Sequence, residues 1–118
     1  SGSEAILDYI GSTMQPDYDF TTTGSAQLAY TVTASSSGDL DQSFLDNSAT
    51  CNQGAGTANG RCWMAPSTTA FTIMDTTAAE SVGATSIITF KVNVPNSASP
   101  APTADTYTAT ATLPLITK

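Results

Sequence analysis

Histidine is absent from this 118-residue chain, and cations are nearly so: Arg61, Lys91 and Lys118 are the only three. The missing imidazole removes the side chain most used as a general base near neutral pH and as a metal ligand. Three scattered cations against ten carboxylates leave a formal net charge of −7. No basic face can form to displace counterions from phosphates, so nucleic acid is disfavoured as a partner. The same charge balance disfavours anionic membrane surfaces. Charged residues make up only 11% of the chain, against the usual quarter or so. Serine and threonine fill the gap. No apolar run approaches the roughly 18 residues that cross a bilayer as a helix, so no membrane insertion is expected within this chain.

Cysteine is scarce too. Cys51 and Cys62 enclose CNQGAGTANGRC, a stretch rich in Gly, Asn and Ala without periodicity. A structural zinc site takes four Cys or His ligands, and the chain holds two cysteines and no histidine. The pair therefore reads as a disulfide closing a floppy loop, worth about 2–3 kcal/mol in the chain-entropy view. A disulfide implies an oxidising, extracellular setting. With both cysteines consumed, no thiol nucleophile is left, and no catalytic residue and no cofactor are expected.

What the chain does have is alternation. In TSIITFKVNVP (85–95), Ile88, Phe90, Val92 and Val94 face one way, and Ile87, Thr89, Lys91 and Asn93 the other. AQLAYTVTA (26–34) alternates Leu28, Tyr30 and Val32 with Gln27, Thr31 and Thr33. In YTATATLPLITK (107–118), Tyr107, Ala109, Ala111 and Leu113 oppose a row of threonines. TAFTIMD (69–75) repeats the pattern with Phe71 and Ile73. A period of two marks half-buried strands. Weaker strands are expected near 4–10, 16–23 and 42–46. The count predicts a single all-β domain over 1–118: an Ig-like antiparallel β-sandwich of about seven strands with one disulfide-closed loop.

Three stretches qualify as candidate sites. SGDLDQSFLDN (37–47) offers Asp39, Asp41 and Asp46 as weak calcium ligands. Its spacing starts like an EF-hand loop, but Phe44 stands at the glycine position and Thr50 at the closing glutamate position. Trp63, beside the disulfide, is a candidate ligand contact, either a sugar-stacking platform or a lid over the sandwich. The segment carrying Ala5, Ile6, Leu7, Tyr9 and Ile10 is apolar enough to act as a strand donor to a neighbouring subunit, because few lysines guard the edges of this fold.

The segment ITFKVNVPNSASPAPTADTYTATATL (88–113) resembles secreted bacterial and archaeal β-sandwich surface modules. In these, a strand of the form F-x-V-x-V-P leads through a Pro/Ser/Ala-rich connection to a tyrosine-led, threonine-rich strand. Here those positions are Phe90, Val92, Val94, Pro95 and Tyr107 to Leu113. The resemblance implies an extracellular Ig-like module of an envelope protein, adhesin or pilus-like filament. Its partners would be copies of itself or other surface proteins. It carries over no catalytic or binding residue.

Overall fold

A computed structural model describes residues 6–11, 16–76 and 83–116. Its regular structure is nearly all β. The strands are β1 (Ile6–Asp8), β2 (Asp17–Tyr18), β3 (Ala26–Ala34), β4 (Cys62–Trp63) and β5 (Ser86–Asn93). Two short 3-10 turns, Ser37–Asp39 and Gln42–Phe44, lie between β3 and β4. Among the described residues no helix is long and apolar enough to cross a membrane.

The alternating residues of 26–34 and 86–93 pair with one another. β3 and β5 run antiparallel in unbroken register from Gln27 opposite Asn93 to Ala34 opposite Ser86. β1 pairs with the other edge of β3, and it does so in parallel. β2 and β4 form a second, antiparallel ladder of two pairs. The two sheets are joined where Met64 trades reciprocal backbone hydrogen bonds with Tyr30, at 2.9 and 2.8 Å. β3 is therefore the central strand of the molecule. Gly83, with φ +78°, supplies the left-handed step just before β5 that a side chain would resist.

The core gathers on one face of β3. Val32, Leu40, Phe44, Leu45, Cys62 and Met64 are buried together, with Tyr30, Phe71, Ile73 and Ile88 packed around them. Phe44 is the largest fully buried side chain, and such burial contributes roughly 1.5–3 kcal/mol. It sits in the second 3-10 turn, whose entry Asp41 caps by accepting from the Ser43 amide at 2.9 Å. The opposite face of β3 is covered too, since Ala29 and Thr31 are also buried.

The described residues hold five strands, not the expected seven or so, and not all of them are antiparallel. Residues 69–75 contribute one bridge, Leu40 with Met74, and residues 42–46 form a turn ending in bridges from Asp46. Both segments pack their apolar side chains on the core beside β3, but their backbones form bridges in place of a ladder. Residues 103–116 form no strand, and every one of them is exposed.

Candidate functional site

Three places hold the residues singled out in the sequence. The first is the disulfide loop. Cys51 and Cys62 are bonded, and Cys62 is buried in the core. The loop is organised by Asp46, only 1% exposed. The Asp46 backbone exchanges hydrogen bonds with Thr57 at 3.1 and 2.9 Å. Its Oδ1 accepts from the Ser48 amide at 2.8 Å and from Asn59 Nδ2 at 3.2 Å. Its Oδ2 is buried without a hydrogen-bond partner. Gly56 lies against this backbone so closely that a Cβ there would sit 2.5 Å from the Asp46 carbonyl oxygen.

The three residues of the calcium reading make separate local contacts, Asp41 and Asp46 through their carboxylates and Asp39 through its backbone. Asp46 orders the disulfide loop and Asp41 caps a turn. Asp39 lends its backbone carbonyl to the Asp75 amide at 3.1 Å. Among the described residues no three His, Cys, Asp or Glu side chains gather as a metal-binding group.

The second place is an aromatic row on the side of β3 away from the main core. Tyr9 and Phe20 stack edge to face at 4.9 Å between centroids, and Phe20 lies 5.7 Å from Trp63. Lys91 of β5 reaches across with its ammonium 5.6 Å from the Phe20 ring centre and 5.4 Å from that of Trp63. Trp63 is half-buried, with Phe20 and Lys91 both on ring surface that a stacked sugar would use. Arg61 pairs with Asp19 and lies over the Tyr18 ring at 4.9 Å. The cationic partner of this aromatic row escaped the sequence reading, because Lys91 alternates onto a face expected to be wet. Beside the row a cleft of about 330 Å³ is lined by Tyr9, Ile10, Met64 and Pro66 among others.

The third place is the edge of the larger sheet. Ile6 and Leu7 are half-buried in β1 against β3, the Tyr9 amide continues the ladder to the Leu28 carbonyl at 2.9 Å, and the Ile10 amide bonds Gln27 Oε1 at 3.0 Å. The proposed donor residues 6–10 are thus paired within their own chain; Ala5 lies outside the described residues. β5 is different. The sheet order is β1-β3-β5, and among the described residues no strand pairs with the outer edge of β5 along its eight residues. Its side chains are bare as well: Ile87, Phe90 and Val92 are 60%, 52% and 45% exposed.

Comparison with protein-family models, with curated proteins and with solved structures finds no match to this chain.

Proposed function

We propose that this chain is a non-enzymatic extracellular structural module, a cell-surface protein or filament subunit that assembles by strand complementation. The observation that carries the reading is the bare edge of β5. Native sheets shield a strand this long with lysines, proline, a bulge or a covering loop. Along Ser86–Asn93 there is one lysine, and it is turned over aromatic rings. An open ladder with half-exposed isoleucine, phenylalanine and valine is a template for another strand. The disulfide supports an oxidising location. The Ig-like sandwich enters as part of this proposal: an added strand beside β5 would bring the larger sheet closer to sandwich size.

The test is the assembly state of the oxidised chain. Size-exclusion chromatography with light scattering, together with negative-stain electron microscopy, is expected to show concentration-dependent oligomers or filaments. A monomer at every concentration up to the solubility limit would end this reading. The rival adhesin reading, sugar recognition by Trp63, predicts a saturable change in Trp63 fluorescence on glycan titration. A strand-assembling subunit predicts none.

A further inference from the structure

Residues 103–116 take no part in either sheet. They carry the most regular alternation in the sequence, yet none lies in a strand and all are exposed. Leu113, Leu115 and Ile116 are 61%, 97% and 88% exposed. No backbone hydrogen bond joins this stretch to another described residue; its contacts are local, from the Thr106 amide to Asp105 and from the Tyr107 hydroxyl to the Thr103 carbonyl. The molecule is correspondingly long, 48 × 29 × 21 Å, with a radius of gyration of 15.7 Å. A compact chain of this length would measure about 13.5 Å.

We propose that the segment Thr106–Leu113 of one copy is the strand that occupies the bare edge of β5 in the next. The proposal rests on the assembly reading above and names its two halves. Three observations select a second copy as the occupant. The segment is uncharged throughout, so a subunit of net charge −7 meets its neighbour without burying an unpaired charge. Its faces match those of β5. Tyr107, Ala109, Ala111 and Leu113 extend the row of Ile88, Phe90 and Val92, while the threonines extend the row of Ile87, Thr89, Lys91 and Asn93. The alternation keeps these rows together whichever way the added strand runs. Small Ala109 and Ala111 leave room beside the bulky Phe90. The connection from β5 also disfavours a return to the chain's own edge. The Ser99 amide is tied to the Gly24 carbonyl at 2.7 Å, beyond the start of β3. Pro95, Pro100 and Pro102 stiffen the path on both sides of that tie. Pro114 has no amide hydrogen to donate, and so marks where the added ladder stops.

Such a contact uses different surfaces on its two partners. It is heterologous and propagates head to tail. Each chain presents one donor and one acceptor, and growth continues until an end is capped.

The test uses the full chain and the double variant Ala109→Lys/Ala111→Lys. Both sites are exposed in the single chain, so its melting curve is expected to stay that of the parent monomer. Two lysines on the inserted row would have to be buried against Phe90, and assembly is expected to be lost. A synthetic peptide of residues 105–116 should cap β5 and shorten parent assemblies in proportion to its concentration. In the assembled parent, amide exchange of Tyr107–Leu113 and of β5 is expected to slow by about 100-fold or more relative to the variant. Assembly that persists in the lysine variant, with residues 107–113 still exchanging freely, would overturn the donor assignment and leave self-association standing. A parent chain that never associates would overturn both.

Discussion

Asp46 shows what one residue does for this fold. It buries a carboxylate among backbone groups of its own loop, and its carbonyl leaves no space for a side chain at position 56. Gly56→Ala must push the two backbones apart, a cost of about 1–3 kcal/mol. The thermal midpoint is expected to fall by several degrees in differential scanning calorimetry. An unchanged midpoint would mean that the loop yields without strain. Two tyrosines also tie their protonation to folding. Burial raises the Tyr9 pKa, and the charge of nearby Asp17 and a hydrogen bond to it raise it further. Burial raises Tyr30, whose hydroxyl faces Met64 Sδ at 3.4 Å. A raised pKa means that the fold favours the neutral phenol. The stability it contributes is fully present below the ordinary tyrosine value of about 10, and is lost as pH rises through the higher folded value. Urea midpoints should therefore begin to fall as pH passes about 10 and go on falling up to the raised folded values. Tyr9→Phe/Tyr30→Phe should flatten that fall.

At the scale of elements, the long strands were legible and the short ones were not. The period-two pattern located β3 at Ala26–Ala34, and located β5 within 85–95, because the two strands pair along their whole length. It also placed Ile88 on the core face. The same pattern at 107–113 forms no strand and meets no partner among the described residues: alternation encodes a willingness to pair and says nothing of where the partner lies. The face expected to be wet opposite Phe90 is exposed at Ile87, Thr89 and Lys91, and only the Lys91 ammonium reaches the Phe20 and Trp63 rings, a contact that tertiary packing decides. The disulfide was legible from composition, since a Gly/Asn-rich loop between two cysteines gains most from closure. The buried role of Asp46 was not, because its hydrogen bonds are made to a loop folded back by that closure. Removing the cross-link by Cys51→Ala/Cys62→Ala is expected to cost about 2–3 kcal/mol, read as a lower urea midpoint. A loss well beyond that range would mean that residues 46–57 melt with the bond and expose Phe44.

On the scale of the whole molecule, the distribution of charge sets how assembly responds to salt. Each subunit carries a net charge of −7, while Thr106–Leu113 carries none and β5 carries only Lys91. The contact proposed here is thus made of backbone hydrogen bonds and apolar side chains, and the repulsion between subunits comes from carboxylates elsewhere. That repulsion is long-ranged at low ionic strength, where the Debye length is about 30 Å at 0.01 M, and short-ranged at 0.15 M, where it is about 8 Å. Salt screens the opposing interaction and spares the favourable one. Raising sodium chloride across that range is expected to increase the mean assembly mass in light scattering and to lower the concentration at which oligomers appear. Sodium sulfate at equal ionic strength should do more, since it also strengthens apolar burial. Contacts held by ion pairs, such as one through Arg61, would behave in the opposite sense and weaken as salt rises. Dissociation by salt would place the interface away from β5, on the charged face that holds Arg61 and Asp19.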